Sequence, residues 1–235
     1  MFHGSLTALI TPMQEDGSLD LARNLAASRP RMRIFSQADR GVFDAMNEGV
    51  RLARGRYLYF LGAGDELLPG SLGEVARWLP EHNHALLYGN VLLADGRIFD
   101  GKFPKAKLAR YCICHQAIFY GREIFDVIGG YNLKYKSWSD WEFNIRCFGS
   151  RDITVSHMPL MVAKFEEAGI SGNPDVDFKR DKLGIICRRL GLRYCFWYPI
   201  RPYVLDYWDW TVRRWRRLCR IIRKLPGVFS SKCTL

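Results

Sequence analysis

The sequence lacks any run free of Asp, Glu, Lys and Arg that approaches the about 20 residues needed by a membrane-spanning helix. Its first ten residues also lack the basic segment of a secretory signal, and the acidic Glu15 and Asp16 follow soon after. Internal repeats and low-complexity stretches are missing too. Because 48% of the 235 residues are hydrophobic and 25% are charged, the composition predicts a globular protein without a membrane span or a secretory signal.

The cysteines lack the pattern of a disulfide framework. There are seven, an odd number, and only Cys112 and Cys114 lie close together in the sequence. With His115 they form a C-x-C-H segment, which is not a usual zinc pattern, and no second pair of ligands completes it. We therefore expect packing roles for these residues and a reducing compartment for the protein.

An excess of positive charge is missing from most of the chain. The formal net charge is +11, yet residues 1–178 hold 20 basic and 21 acidic side chains, whereas residues 179–235 hold 15 basic and 3 acidic ones. All of the excess thus lies in the C-terminal segment. This distribution argues against a uniformly basic nucleic-acid-binding fold.

Patterns typical of helices and strands alternate along the chain. Phe43, Met46 and Val50 recur at helical spacing and predict a helix over 43–54, and the apolar run Tyr57–Leu61 predicts a buried strand. The other predicted elements are helices over 18–28, 71–79 (with a Ser71/Glu74 capping box) and 122–128, a helix capped by Ser139, a hairpin at Asp95-Gly96, and strands at Met32–Ser36 and Ile113–Tyr120. Together they predict an α/β fold with a mixed sheet.

The central segment of the chain resembles a known family. Residues 36–68 read SQADRGVFDAMNEGVRLARGRYLYFLGAGDELL and resemble the middle of family 2 glycosyltransferases, where a Ser-x-x-Asp-x-Gly-(Ile/Val)-(Tyr/Phe)-Asp-Ala-Met-Asn-x-Gly run precedes a helix, a strand and an acidic metal-binding turn. Further resemblances follow in the family's order at His115–Ala117, Phe125–Tyr131, Ser139–Glu142 and Phe165–Ser171. The resemblance covers roughly residues 18–190. It implies an A-type nucleotide-diphospho-sugar transferase fold with a mixed, mainly parallel sheet.

The resemblance also implies a chemistry. Family members transfer a sugar from a UDP-, GDP- or dTDP-linked donor to an acceptor hydroxyl, with inversion, and a carboxylate-held Mg²⁺ or Mn²⁺ neutralises the departing diphosphate. Asp65 corresponds to the metal ligand and Asp140 to the general base. The implied donor-binding residues are Asp39, Arg40, Asp44, Asn47 and Gly64, and the implied acceptor-binding residues are His115, Gln116, Trp138 and Trp141.

The residue types alone leave other interpretations open. Asp65 is equally suited to a turn after a glycine, and Asp140 to the first turn of a helix, where the helix dipole stabilises a carboxylate. His115 is nearly as well explained as a structural residue of a strand. For Asp39, Arg40, Asp44 and Asn47, the alternatives are helix capping and surface charge.

Two features depart from the family pattern. Gly64 stands where the acidic turn normally has its first acid, which weakens the expected metal site. In addition, about 50 residues of the usual N-terminal nucleotide-binding half are absent. Residues 1–20 instead resemble the opening of dihydrodipicolinate synthase, a TIM-barrel lyase whose length and Schiff-base lysine are not found here. We expect an exposed sheet edge and weakened donor binding unless Thr7–Ile10 substitutes for a missing strand.

The C-terminal segment predicts a membrane-interface helix. From Trp208 onward, apolar residues recur at helical spacing opposite a basic face, which is typical of helices that lie on anionic lipid. A helix docked on the domain and a nucleic-acid contact are the alternatives. The candidate interface residues are Trp208, Arg213, Arg214, Trp215, Arg216, Arg217 and Arg220. The predicted organisation is a leader over 1–17, a glycosyltransferase-like domain over 18–190 and this segment over 191–235.

The leading hypothesis is therefore an inverting glycosyltransferase that modifies a lipid-linked or glycan acceptor in cell-surface polysaccharide or glycolipid biosynthesis. Its expected partners are the nucleotide sugar, the acceptor and an anionic membrane surface, but no nucleic acid. Its expected location is cytoplasmic and peripheral, at the inner face of the plasma membrane. The alternative is a catalytically impaired remnant that binds a membrane or a partner protein.

Overall fold

The computed structural model describes the backbone of residues 6–11 and residues 33, 35, 38–62, 65–79, 84–93, 96–99, 101–165 and 175–195. The strands are β1 Leu6–Thr11, β2 Tyr57–Gly62, β3 Glu66–Leu67, β4 Ala85–Leu93, β5 Ile98–Phe99, β6 Ile118–Gly121 and β7 Thr154–Phe165. The helices are α1 Val42–Leu52, α2 Ser71–Ala76, α3 Lys105–Leu108, α4 Ile124–Ile128, α5 Ser139–Gly149 and α6 Val176–Arg189. A short 3₁₀ turn, His115–Ala117, precedes β6.

The described strands form one sheet in the order β1-β2-β6-β4-β7-β3, with β5 paired to β4. The two longest pairings, β1 with β2 and β4 with β7, are parallel. The four shorter pairings are antiparallel. The prediction of an α/β fold with a mixed sheet is therefore confirmed.

Strand β2 is buried on both of its faces, which explains its continuous apolar sequence. Successive side chains of a strand point to opposite faces, so Leu58 and Phe60 pack in the core that includes α1, α5 and α6. Tyr57 and Tyr59 pack in a second core on the opposite face, together with Val75 of α2. The sequence-based prediction of a buried strand is confirmed, and the acidic turn follows directly from it.

Strand β1 lies within the predicted leader and runs parallel to β2. The pairing extends from Leu6–Tyr57 to Thr11–Gly62. It includes Thr7–Ile10, the segment named above as a possible substitute for a missing strand. At the level of the backbone, β2 is therefore not an edge strand: β1 pairs with its whole length, and β6 pairs with Tyr57–Tyr59 on the other side.

Several local predictions are confirmed and others are corrected. Helix α1 and the β4–β5 hairpin form where they were expected, and Gly96 takes φ +82 in the hairpin connection. The capping box does not form, because α2 begins after Gly70 without a side-chain cap. Ser139 does not cap α5 either, since its hydroxyl donates to the Asn132 carbonyl at 2.9 Å. The predicted strand Ile113–Tyr120 shortens to β6, and its first half becomes the 3₁₀ turn.

The sequence did not predict the local disulfide that the described residues contain. It joins Cys187 in α6 to Cys195, across a sequence separation of 8 residues and a Cα–Cα distance of 5.3 Å. Cys112, Cys114 and Cys147 are free thiols. The link closes the end of α6 onto the residues that follow it.

Other predictions fall outside the described residues. These are the 18–28 helix, most of the Met32–Ser36 strand, Gly64, the loop after Phe165, and the interface helix with Trp208, Arg213, Arg214, Trp215, Arg216, Arg217 and Arg220. In the part of the chain that is described, no helix has both the length and the apolar character needed to cross a bilayer.

Candidate functional site

The turn after β2 and the turn before β6 meet at one edge of the sheet. Because β6 is antiparallel to β2, the carboxyl end of β2 lies beside the start of β6. Asp65 Oδ2 there accepts a hydrogen bond of 2.7 Å from Gln116 Nε2. The Tyr59 hydroxyl donates to the Gln116 carbonyl at 2.8 Å and fixes the 3₁₀ turn. A Cβ at Gly62 would lie 2.6 Å from Asp65 Oδ2, so a larger residue at the bend would displace the Asp65 carboxylate.

The Asp140 carboxylate lies on the other side of this 3₁₀ turn. It sits in the first turn of α5, 8% exposed. One oxygen accepts from the Trp141 N–H at 2.8 Å, and the other lies 3.8 Å from the Cys112 thiol. Burial raises the pKa of the Asp140 carboxyl, although the charge of His115 and the Trp141 N–H oppose that shift. The structure therefore contains a buried carboxylate with raised proton affinity.

His115 lies between the two carboxylates. Its Nδ1 is 4.0 Å from Asp140 Oδ2. Its Nε2 lies near Gly62, where a Cβ added to that glycine would be close to both His115 Nε2 and Asp65 Oδ2. Burial lowers the pKa of the His115 imidazole, and the charge of Asp140 opposes that effect. The structure thus brings together four predicted site residues, Asp65, His115, Gln116 and Asp140.

The two acids of the Ser139–Glu142 motif have different surroundings. Residues two apart on a helix point in roughly opposite directions, and Glu142 faces away from Asp140. It pairs with Arg146 at 2.9 Å, and Arg146 also donates to the Ile128 and Gly130 carbonyls. Glu142 therefore anchors α5 to the loop after α4, and Asp140 is left as the acid of this motif that faces His115.

The predicted aromatic residues pack mainly within the protein. Trp141 is buried, and its Nε1 donates to the Leu108 carbonyl at 2.7 Å. Trp138 is half-buried and meets Trp141 edge-on at 5.6 Å between ring centroids. Phe178 of α6 packs against both rings. This packing explains how α5 and α6 hold each other, while an acceptor contact stays a prediction for both tryptophans.

Asn47 positions the site from a distance. Its amide donates to the Tyr131 carbonyl at 3.0 Å and accepts from the Tyr131 N–H at 2.8 Å. A Cβ on Gly130 would lie 2.5 Å from Asn47 Oδ1, so a glycine is needed there. Tyr131 in turn stacks near Phe143 of α5 at 4.8 Å. Asn47 thereby joins α1 to the helix that carries Asp140.

The remaining predicted donor residues form a local cluster at the start of α1. Asp39 accepts from the Gly41 N–H at 2.9 Å. Arg40 pairs with Asp44 at 3.1 Å, and this hydrogen-bonded pair lowers the pKa of the Asp44 carboxyl. Asp39 and Arg40 are exposed. Helix α1 begins after Gly41 without a side-chain cap, so the surface-charge interpretation accounts for the Arg40–Asp44 pair, and a role in binding the donor stays a prediction.

Asp65, in the turn after β2, is the carboxylate there that could bind a metal ion. Among the described residues, no three His, Cys, Asp or Glu side chains come together in a way that could hold a metal ion. Mg²⁺ is commonly bound through one or two carboxylates together with substrate phosphates. Asp65 supplies one such carboxylate, so this turn suits an ion that is shared with a bound diphosphate.

Asp175 holds the loop before Asp140 against α6. Its carboxylate caps α6 by accepting from the Phe178 N–H at 2.8 Å, and it also accepts from the Lys136 and Ser137 N–H groups at 2.6 and 3.1 Å. We expect Asp175→Ala to lower the free energy of unfolding by about 2–3 kcal/mol, since a cap and two further charge-assisted hydrogen bonds are lost. Urea denaturation measures this.

The matched control is Asp177→Ala, in the first turn of the same helix. Asp177 makes an exposed ion pair with Arg180, so its removal should cost less than about 1 kcal/mol. Equal destabilisation by the two variants would contradict the bridging role of Asp175.

Sequence reasoning missed three residues of this region. Cys112 was considered only as an unsuitable zinc ligand, although its thiol contacts Asp140. Asp175 and Lys182 lie on a helix far along the chain, and Lys182 places its ammonium 3.4 Å from the centre of the Trp141 ring. A lysine at an apolar helical position is a signal that the sequence offers for Lys182. Nothing in the sequence indicates the contacts of Asp175 with residues 136 and 137.

Comparisons with known proteins bear on the family and the fold of the chain. The sequence model described as Glycosyl transferase family 2 matches residues 14–138. Proteins named PGL/p-HBAD biosynthesis glycosyltransferase, from Mycobacterium bovis and Mycobacterium tuberculosis, are each 41% identical over 183 residues, which are 76% of this chain and 72% of theirs. Residues 1–349 of S. aureus TarS, solved with UDP-GlcNAc, align over 77% of this chain and 57% of the TarS chain, with 13% identity and a TM-score of 0.58. That last likeness supports the fold alone.

Proposed function

The chain belongs to glycosyl transferase family 2, and on this basis we propose that it transfers a sugar, with inversion, from a nucleotide-diphosphate donor to a hydroxyl of a lipid-linked or glycan acceptor. The observation that best supports this proposal is the placement of Asp140. It is a buried carboxylate that faces Asp65 across the His115–Ala117 turn. A base and an acidic turn are thus held at one edge of the sheet, where α/β folds bind ligands.

Asp140 acts as the general base in the proposed reaction. It takes the proton of the acceptor hydroxyl while that oxygen bonds to the anomeric carbon, and the bond from this carbon to the diphosphate oxygen breaks on the opposite face. The bonding pair leaves with the nucleotide diphosphate. Because burial raises the pKa of Asp140, its carboxylate is a stronger proton acceptor than an exposed aspartate.

Asp65 is the residue that would hold a divalent ion. When bound, Mg²⁺ or Mn²⁺ supplies positive charge for the departing diphosphate. Gln116 holds the Asp65 carboxylate in place through its side-chain amide. Gly64 adds no carboxylate, so further oxygen ligands would have to come from the donor's own phosphates.

The proposed class of acceptor rests on the names of similar proteins. The relatives are named for PGL/p-HBAD biosynthesis, and we assign to this chain a role in cell-surface polysaccharide or glycolipid biosynthesis. His115 and Gln116 line the space between base and metal turn, where the two substrates have to meet. Asp39, Arg40 and Asp44 remain proposed contacts of the donor.

The activity is tested with a donor panel. We expect one of the UDP-, GDP- or dTDP-linked sugars to release nucleotide in the presence of Mg²⁺ or Mn²⁺, and EDTA to abolish that release until the metal is restored. Calorimetric titration of the same donors gives their affinity. If none binds in the micromolar range, the second candidate, a catalytically impaired remnant, is favoured instead. Gly64 in place of the family's first acid is the observation that supports that candidate.

The basic C-terminal segment is proposed to bind the inner face of the plasma membrane. Its Trp and Arg residues suit an anionic lipid surface, and the location would place the enzyme beside a lipid-linked acceptor. We expect the full chain to float with anionic liposomes at low salt, and a variant with Arg213, Arg214, Arg216 and Arg217 changed to Gln to lose at least tenfold in bound fraction, at about 1 kcal/mol for each basic residue.

A charge-matched control distinguishes the effect of the basic C-terminal segment on membrane binding from the effect of the chain's total charge. Its four substitutions to Gln fall on exposed cations of the body, Arg54, Arg77, Arg122 and Arg151. This control should still float. Equal loss of binding in both variants would show that the C-terminal segment has no special role at the membrane.

A further inference from the structure

Helix α6 has an outer face that is formed by Val176, Lys179, Arg180 and Leu183. The other side of the helix is buried in the core through Phe178, Ile185 and Ile186. Val176 and Leu183 lie seven residues apart on the outer face and are 76% and 44% exposed. A surface helix normally keeps polar residues on its solvent side. Packing within the described part of the chain therefore does not explain these two apolar side chains.

The chain that follows α6 returns to this outer face. Residues 192–195 form a further helical turn, and the disulfide brings the Cα atoms of Cys187 and Cys195 to 5.3 Å. Cys195 Sγ also lies 3.5 Å from the Leu183 carbonyl oxygen. Leu192 is 69% exposed and belongs to the same turn as Cys195. These contacts place the turn that carries Leu192 against the outer face of α6.

Exposed basic residues accompany the exposed apolar ones. Lys179 lies one helical turn from both Val176 and Leu183, and Arg193 directly follows Leu192 in the chain. Further exposed basic residues on α6 are Arg180, Arg188 and Arg189. The acids of α6 are Asp177 and Asp181, and both pair with Arg180. The surface is therefore both apolar and basic, which is the composition of a helix face that lies on anionic lipid.

The outer face of α6 adjoins the start of helix α5, which carries Asp140. Lys179 Nζ lies 5.7 Å from the centre of the Trp138 ring, and Trp138 precedes Asp140 by two residues. Trp138 also meets Phe178 of α6 edge-on, at 6.0 Å between ring centroids. A surface bound to the outer face of α6 would therefore lie close to the residue that is proposed to receive the acceptor proton.

We propose that the outer face of α6, together with Leu192 and Arg193, binds the surface of an anionic lipid bilayer. The leucine side chains enter the boundary between headgroups and acyl chains, and the basic side chains contact the anionic headgroups. A bilayer is favoured over a protein partner because the chain continues from this face directly into the basic, Trp-containing segment that is proposed to bind the same membrane.

This inference rests on the proposed function and adds an orientation to it. The outer face of α6 belongs to the folded domain, whereas the basic C-terminal segment follows that domain in the chain. Contact through the folded domain fixes how Asp140 is turned toward the membrane. An acceptor that is anchored in the same bilayer is then held beside the base.

Flotation of the full chain with vesicles of phosphatidylglycerol and phosphatidylcholine tests this proposal. The variant combines Lys179→Gln, Leu183→Gln, Leu192→Gln and Arg193→Gln. We expect its bound fraction to fall by about tenfold or more, because two apolar and two basic contacts with the lipid are lost. All four side chains are exposed, so the variant should keep its fold, which circular dichroism checks.

The matched control makes the same kinds of change away from α6. It combines Leu72→Gln, Arg77→Gln, Ile98→Gln and Lys102→Gln, all at exposed positions. Helix α2, which carries Leu72, packs in the core on the opposite face of the sheet from α6. This control should float as the unmodified chain does. Equal loss of binding in the two variants would attribute it to overall composition and overturn the proposal.

Photocrosslinking identifies what covers the outer face of α6. In the presence of the same vesicles, Leu183→benzoylphenylalanine should form adducts with lipid, whereas Leu72→benzoylphenylalanine should not. Adducts with a second copy of the chain, or with residues 196–235, in place of lipid adducts would show that protein covers this face. That result would also overturn the proposal.

The outcome is separable from the proposed function. If the variant with Arg213, Arg214, Arg216 and Arg217 changed to Gln still floats while the α6 variant does not, the C-terminal segment is not the membrane anchor and the proposal for α6 stands. If the opposite holds, the segment binds the membrane and the α6 face does not. Absence of flotation by the unmodified chain would contradict both. Nucleotide release with the donor panel is measured without vesicles, so each of these results leaves the proposed sugar transfer untouched.

Discussion

Asp140→Asn is expected to reduce the rate of sugar transfer by about 10²–10⁴-fold, the usual contribution of a general base. The amide cannot take the acceptor proton, yet it has nearly the same shape as the carboxylate. It retains an oxygen that accepts from the Trp141 N–H, so the first turn of α5 should stay intact. The measurement is steady-state release of nucleotide with the donor that the panel identifies.

The control for this variant is Asp126→Asn, an exposed carboxylate on α4, which should leave transfer unchanged. Donor affinity should be unaltered in both variants, since the base faces the acceptor. Full transfer activity in Asp140→Asn would remove Asp140 from the mechanism and would favour its role as a helix-terminal carboxylate.

The pH dependence of transfer provides a second readout of the same residue. The base works as the carboxylate, and burial raises the pKa of Asp140. As the pH falls, the group therefore becomes protonated at a higher pH than an exposed aspartate, and the acidic limb of kcat/KM should lie correspondingly higher. Because burial lowers the pKa of His115, its imidazole is neutral at pH 7 and leaves the Asp140 carboxylate without a full charge partner there. The limb should vanish from the residual activity of Asp140→Asn.

Asp65→Asn is expected to lower metal-dependent transfer by about two to three orders of magnitude. A metal ion contributes several kcal/mol of stabilisation to a developing charge, and each 1.36 kcal/mol corresponds to about a factor of ten in rate. Because Gly64 contributes no carboxylate, Asp65 carries more of the metal affinity than it would in a turn with two acids. An amide at this position still accepts the hydrogen bond from Gln116, so the local structure should persist.

Titration with Mn²⁺ during steady-state transfer measures this effect. The concentration of Mn²⁺ that gives half-maximal rate should rise by at least tenfold in Asp65→Asn, in keeping with loss of a ligand. The exposed Asp152→Asn should behave as the unmodified chain. An unchanged metal requirement in Asp65→Asn would place the ion elsewhere or show that transfer does not depend on it.

The local elements were predictable where one pattern dominates. The helix at Val42–Leu52 and the strand at Tyr57–Gly62 follow from the spacing of apolar residues, which is set by the helical repeat and by burial on both faces. Ser71 and Ser139 have the residue types of caps, yet neither caps its helix. Ser139 is instead drawn to the Asn132 carbonyl, a contact that depends on how α5 packs.

The candidate site likewise has features that the sequence could indicate and features that only the structure could show. Asp65 and Asp140 were proposed as site residues from motifs that resemble those of the family, which occur here in the family's order. The sequence did not predict how these two carboxylates lie relative to each other, because 74 residues lie between them in the chain. The antiparallel β2–β6 pairing brings the His115–Gln116 turn between them. Likewise, the resemblance assigned the base to Asp140 and gave no role to Glu142, and the structure shows that Glu142 is paired with Arg146.

By itself, the sequence determined the class of fold and the family and led us to propose two carboxylates for the site, because these inferences depend on local periodicity and on motifs within short stretches. Only the tertiary structure decided which carboxylate of the Ser139–Glu142 motif faces His115, and that Thr7–Ile10 extends the sheet next to β2. Each of these depends on contacts between residues distant in sequence. Such contacts, and the burial that shifts the pKa of Asp140, arise only when helices and strands pack together.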